Sequence, residues 1–148
     1  MTKHWHIRKA QPADSESLQL CMESAYSIYV ERMDGNRLPP MDVNYESEIK
    51  EYPVWVAEFE GCIGGGLIMM FGDDYASIAN IAVNTHFQGQ GLGKQLMAFA
   101  ETIAREKGYT ELRLATHVLL HENLSLYSHL GWVEMDRDDI RVYMKKTI

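Results

Sequence analysis

Cysteine is scarce. The 148 residues hold two, Cys21 and Cys62, with neither the spacing of metal ligands nor the density of a disulfide framework. Both are therefore expected as buried thiols of a reducing compartment. Long apolar runs are missing too: the longest, Cys62 to Phe71, is broken by Gly64-Gly65-Gly66, and a membrane span needs roughly 20 residues. The start, Met1-Thr2-Lys3-His4-Trp5-His6-Ile7-Arg8, has no apolar leader core and no small-residue cleavage site, so a cytoplasmic protein is expected. Positive charge is in deficit. Fourteen Lys and Arg against 21 Asp and Glu leave a net charge of −7, which argues against a nucleic-acid surface built on clustered cations. The same charge is compatible with a cationic substrate such as an amine. Repeats, linkers and low-complexity tracts are absent, and the length suits one domain over residues 1–148.

What is present reads as alternating strands and helices. Leu18, Cys21, Met22, Ala25, Ile28 and Tyr29 recur on one helical face after Pro12-Ala13-Asp14, and Asp34-Gly35-Asn36 is the expected stop. Pro39-Pro40 predicts an extended stretch, and a second helix is expected from about Asp42 to Glu51. Val54 to Phe59, Ile63 to Phe71 and Ala76 to Val83 read as three successive antiparallel strands, with Glu60-Gly61 as a hairpin turn. Leu92, Leu96, Phe99, Ala100, Ile103 and Ala104 form the apolar stripe of the strongest helix, which stops at Gly108. A strand at Leu112 to Thr116, a short helix from Leu124 to Leu130 and a final hairpin complete the order βααβββαβαββ. That order predicts an α/β (α+β mixed) sheet with helices on both faces.

Between the third of those strands and the strongest helix lies Gln88-Gly89-Gln90-Gly91-Leu92-Gly93. Glycines let backbone approach a phosphate, and the first N–H groups of a helix have no internal partner. With the helix dipole they make an anion site. A Walker A loop does not fit, because Gln88 replaces its first glycine and Gln95 follows Lys94. The dinucleotide fingerprint fails at Lys94, where its third glycine belongs.

The loop does match the GNAT superfamily of N-acetyltransferases, whose signature is Gln or Arg, two residues, Gly, one residue, then Gly or Ala. Ile7-Arg8-x-Ala10 with Asp14, Ala82-Val83 through Phe87, and Glu122-Asn123-Leu124-Ser125-Leu126-Tyr127 with Leu130-Gly131-Trp132 also resemble that family. The resemblance implies the acyl-CoA N-acyltransferase fold, a central and mostly antiparallel sheet flanked by helices. It implies acetyl-CoA as co-substrate, with its pyrophosphate on Gln88, Gly89, Gln90, Gly91, Leu92, Gly93 and Lys94. Its arm would lie on the backbone of Ile81, Ala82 and Val83, freed by a bulge in that strand, and on Asn123. The acceptor would be an amine, on a small molecule or on a protein lysine or N-terminus. A homodimer also agrees with the resemblance.

Direct attack of an amine on the thioester sets three demands. The ammonium, with a pKa near 10.4 by the lysine reference, must lose a proton; the carbonyl oxygen needs a donor; the thiolate needs a hydrogen bond or a proton. Tyr127 matches the family tyrosine that faces sulfur. Asn123 equally suits a helix N-cap. No carboxylate stands on the central strand, which offers Asn80 instead. The base is thus left among His117, Glu122, Glu58 and a water chain. Tyr26, Tyr29, Tyr45, Tyr52 and Trp55 are candidates for acceptor walls or core. The pairs His4/His6 and His117/His121 lack a metal-site pattern, so no metal is expected. A CoA-binding sensor without chemistry is the competing reading.

Overall fold

The computed structural model describes residues 4–148; residues 1–3, part of the segment read above for a leader, lie outside the described residues. Seven strands are present: β1 (His6–Lys9), β2 (Val54–Phe59), β3 (Cys62–Phe71), β4 (Ala76–Val83), β5 (Glu111–His117), β6 (Val133–Arg137) and β7 (Arg141–Thr147). Four α-helices accompany them: α1 (Ser15–Ser27), α2 (Tyr45–Glu51), α3 (Leu92–Glu106) and α4 (His121–His129). The strands form one sheet in the order β1-β2-β3-β4-β5-β7-β6. Every neighbouring pair is antiparallel except β4 with β5. The expected element order and mixed sheet are found.

Strand β2 shows why helices cover both faces. Its apolar run Val-Trp-Val-Ala splits by alternation. Val54 and Val56 pack with Leu18, Met22 and Ala25 of α1 and Tyr45 of α2, while Trp55 and Ala57 pack with Leu92, Leu96 and Ala100 of α3. The three glycines of β3 set how closely these layers approach. A Cβ on Gly66 would lie 2.5 Å from Leu18 of α1; one on Gly65 would lie 3.0 Å from Leu96 and 3.2 Å from Leu92 of α3. Both helices therefore seat on the same stretch of strand, beside the end of β4.

Several local expectations are corrected. Helix α1 ends at Ser27, short of Asp34, and the chain tightens into a 3-10 turn at Glu31–Met33. The helical phase is lost, so Tyr29 turns inward while Ile28 is exposed. Pro39–Met41 is also a 3-10 turn instead of an extended stretch, because proline's missing N–H costs nothing in a first turn. Helix α4 begins at His121, so Asn123 sits inside its first turn and the N-cap is Leu120. Helix α2 starts at Tyr45, where the Asn44 side chain accepts the Ser47 N–H. Cys21 is buried as expected, but Cys62 opens β3 beside the hairpin turn and is exposed; both are free.

What positions the site is the parting of β4 from β5. Their parallel pairing covers only Ala76–Ile78 against Leu112–Leu114. A bulge then leaves Ala79 unpaired, with Ile68 opposite Asn80 and Met69 opposite Ile78. Beyond it β4 stays on β3 as far as Val83, and β5 stays on β7 as far as His117. A wedge opens between them.

Candidate active site

The Asn84 N–H bonds the Gly64 carbonyl across to β3. Since successive strand N–H groups point to opposite sides, those of Val83 and Ile81 point into the wedge. The chain then turns through Thr85–Phe87 into the glycine loop. Gly89 and Gly91 have φ of 78° and 84°, left-handed values, and a Cβ at either would meet nothing within 4 Å. These glycines serve conformation, and the space above them is open. Gly91 caps α3 with no side-chain acceptor, leaving first-turn N–H groups unpartnered. The Gln88 amide donates 3.2 Å back to the Val83 carbonyl and braces the loop against β4.

A cavity of about 380 Å³ lies over this loop. It gathers most of the residues expected at the site: Ile81, Ala82 and Val83, then Gln88, Gly89, Gly91, Leu92, Gly93 and Lys94, with Glu122, Asn123 and Tyr127 from α4. Gln90 is not on its wall; its amide turns toward the His86 carbonyl at 3.4 Å. Ala25 and Tyr26 of α1, Tyr29 just beyond it, Phe87 and Leu126 complete the lining. Phe87 and Leu126 lay within the recognised motifs yet carried no chemical label. Of the aromatic set, Tyr26 and Tyr29 reach the cavity, Tyr45 and Trp55 are core, and Tyr52 is exposed.

A second cavity, of about 280 Å³, fills the wedge beyond Tyr26, Ile81, Asn123 and Tyr127, which line both spaces. Tyr127 is 6% exposed and lines both cavities. Burial pushes its pKa up to about 12. Tyr26 donates 2.9 Å to the Asn80 side chain and is held protonated by burial. The strand position without a carboxylate is thus joined to α1 by a neutral hydrogen bond.

The three base candidates are placed differently. Glu122 accepts from both Arg32 guanidinium nitrogens, at 3.1 and 3.0 Å, while Arg32 also donates 2.8 Å to the Leu119 carbonyl. That clamp ties the chain after α1 to the start of α4. The Arg32 hydrogen bond holds the Glu122 carboxyl below the usual range, opposite to what a general base needs. His117 lines the second cavity, and its Nδ1 accepts the Leu119 N–H at 3.1 Å. The neutral ring then carries its proton on Nε2, so neither nitrogen is open for another unless that bond is given up. Glu58 is bound to Arg8 at 2.6 Å and lines neither cavity. Among the described residues no group of three or more His, Cys, Asp or Glu is placed to hold a metal, and no helix is long and apolar enough to cross a membrane.

A mixed sheet parted between two parallel strands, with a glycine loop and helix N-terminus at the parting, defines the class. The sequence model of the acetyltransferase (GNAT) family matches residues 22–132, and the chain belongs to that family. Among curated proteins it is 35% identical over 86 residues to the uncharacterized N-acetyltransferase YjgM of Escherichia coli, covering 55% of this chain and 52% of that one. It is 29% identical over 84 residues to N-acetyltransferase family 8 member 2 of Rattus norvegicus, over 53% of this chain and 37% of that one. The chain thus spans about half or less of the curated relatives it matches. Among solved structures, the PaiA N-acetyltransferase of Thermoplasma acidophilum in complex with coenzyme A superposes with a TM-score of 0.81 at 20% identity, covering 98% of this chain and 99% of that one. The Escherichia coli ribosomal-protein-S18-alanine N-acetyltransferase gives 0.79 at 20% identity, over 98% and 94%.

Proposed function

We propose that the chain is an N-acetyltransferase moving the acetyl group of acetyl-CoA to a primary amine by direct attack. The observation that carries this reading is the meeting of two cavities at Tyr127 and the free N–H groups of Ile81 and Val83. The donor occupies the first cavity. Its pyrophosphate lies on the N–H groups from Gln88 to Lys94, with the Lys94 ammonium and the α3 dipole supplying positive potential. Its arm runs along Ile81 to Val83 and Asn123, toward Tyr127.

The neutral amine nitrogen attacks the thioester carbonyl. A C–N bond forms as the C–S bond breaks, the nitrogen loses a proton, and the sulfur leaves as thiolate. The N–H groups of β4 stabilise the carbonyl oxygen as it gains charge. Tyr127 donates a hydrogen bond to the departing sulfur. A phenol at about 12 facing a thiol near 8.5 makes full proton transfer unfavourable by roughly 5 kcal/mol. Water therefore delivers the proton that yields CoA thiol. With Glu122 paired to Arg32 and Nδ1 of His117 engaged, we assign deprotonation of the amine to a water chain ending in solvent. On this reading the protein acts as one catalytic domain in the cytoplasm, as a monomer or a homodimer that sedimentation velocity resolves. The acceptor is a small molecule or a protein lysine or N-terminus.

The test is thiol release from acetyl-CoA across a broad amine panel, with Tyr127→Phe as control. Amine-dependent turnover that falls in the variant supports the reading. A protein stabilised by CoA yet silent toward every amine would instead be a CoA sensor, the reading favoured by the lack of a carboxylate on the second cavity's wall. CoA at 100 times its Kd adds about 2.7 kcal/mol of stability; no shift at all sinks both.

A further inference from the structure

We infer that the acceptor is a small apolar amine bearing a carboxylate, and that Arg141 binds that carboxylate. The inference rests on the acyl-transfer reading above and concerns the second cavity. Leu38, Ile78, Leu114, Leu120 and Ile140 form the apolar part of its wall, with the polar Asn80, Thr116, His117 and Asn123 set among them. Among the described residues no Asp or Glu lines it, and the Lys or Arg on its wall is Arg141, directly across the β5–β7 register from His117. At about 280 Å³ it sits at the small end of ligand pockets, which run from roughly 300 Å³ upward.

Arg141 differs from the other arginines. Arg8, Arg32, Arg37, Arg105, Arg113 and Arg137 each have a carboxylate within 4 Å. Among the described residues Arg141 alone has none. Of the two carboxylates just before it, Asp138 and Asp139, Asp138 accepts the N–H groups of Ile140 and Arg141 and the Tyr143 hydroxyl, and it feels the Arg141 charge without a direct ion pair. Arg141 is exposed, lines this cavity and makes no direct ion pair among the described residues, so its planar donor fork can take a carboxylate by two parallel bonds.

A lysine side chain among other cations, or a polyamine, would bring more positive charge beside Arg141 with no anion to meet it. An α-amino acid with an apolar side chain suits the apolar part of the wall and the arginine. Its carboxylate pairs with Arg141, its side chain lies on the apolar part of the wall, and its amine faces the junction at Tyr127. The chain's net charge of −7 favours a cationic ligand at long range. Screening confines that influence to about 10 Å, so the charges on the cavity wall decide.

The experiment measures thiol release by the full chain with acetyl-CoA and matched amines: leucine against leucinamide, phenylalanine against phenylalaninamide, then Nα-acetyl-lysinamide and spermidine. The carboxylate member of each pair is expected to lead by roughly 10- to 100-fold in kcat/KM, chiefly through KM. Arg141→Gln should collapse that ratio to a few-fold, and Arg141→Lys should restore part of it. Amides accepted as well as acids, or a ratio that Arg141→Gln leaves intact, overturns the inference. Turnover confined to lysinamide and spermidine also overturns it while leaving acetyl transfer standing. Stabilisation by CoA without turnover of any amine removes acetyl transfer itself, and this inference with it.

Discussion

The two cavities on either side of Tyr127 are built from different materials. The first has a floor of backbone, a loop of left-handed glycines, the open end of α3 and the N–H groups that β4 turns away from β3, with side chains such as Tyr29, Phe87 and Leu126 around it. The second draws on side chains from α1, the Pro39–Met41 turn, β4, β5, α4 and the start of β7. A backbone site recognises what all donors share, a phosphate chain and amides. A side-chain site can be rewritten one residue at a time without disturbing the sheet. One fold can therefore keep its donor and change its acceptor.

The largest effect should fall where the two regions meet. Tyr127→Phe removes one donor from the reacting sulfur and is expected to lower kcat by roughly 100-fold with the KM for acetyl-CoA little changed. Steady-state kinetics at saturating donor check this; an unchanged kcat would remove the tyrosine from the junction.

Next comes a scaffold lesion that should touch neither cavity. Arg8 bridges Glu58 of β2 and Asp14 at the head of α1, where it donates 2.8 and 2.9 Å to both Asp14 oxygens. Asp14→Asn should cost about 2 kcal/mol of stability at pH 7 while leaving both KM values in place. The Arg8 hydrogen bond holds the Asp14 carboxyl below its ordinary value. A depressed carboxylate stabilises the fold above the unfolded value of about 3.9 and loses that contribution as pH falls through the folded one. The deficit of the variant should thus be full at neutral pH and shrink below about pH 4, as urea titrations along a pH series will show.

A smaller effect tests the backbone character of the donor side. Gly91→Ala forces an alanine to φ 84°, which costs about 1–2 kcal/mol. The KM for acetyl-CoA should rise roughly tenfold while the ratio between paired amine acceptors stays put. If the acceptor ratio moves instead, the two regions are not separable. The smallest effect belongs to the exposed Arg32–Glu122 clamp. Glu122→Gln should change either KM by at most about fivefold, both together, because α4 lines both cavities. A collapse of turnover with a lost acidic limb in the pH profile would return Glu122 to the role of base.

Legibility followed the same division. The strand and helix order was readable because alternation and helical period are local, and β4 was bounded at Ala76 and Val83 from its sequence alone. Errors fell where tertiary contacts override local phase: the early end of α1, the turn at Pro39–Met41 and the earlier start of α4. Tyr26 and Tyr45 both looked like pocket aromatics. Only packing separates them, since Tyr45 is sealed against the Pro40 carbonyl while Tyr26 faces the wedge. Arg141 carried no signal at all in sequence, being one more cation in a terminal strand.

What the sequence determined by itself was the donor side. Glycines at fixed spacing before an amphipathic helix fix a backbone path, and that path is the anion site. What only the tertiary structure decided was the acceptor side. Parting β4 from β5 brings Tyr26, Leu114, Leu120 and Arg141 around one space. Whether an arginine is paired or free depends on neighbours that no local pattern specifies.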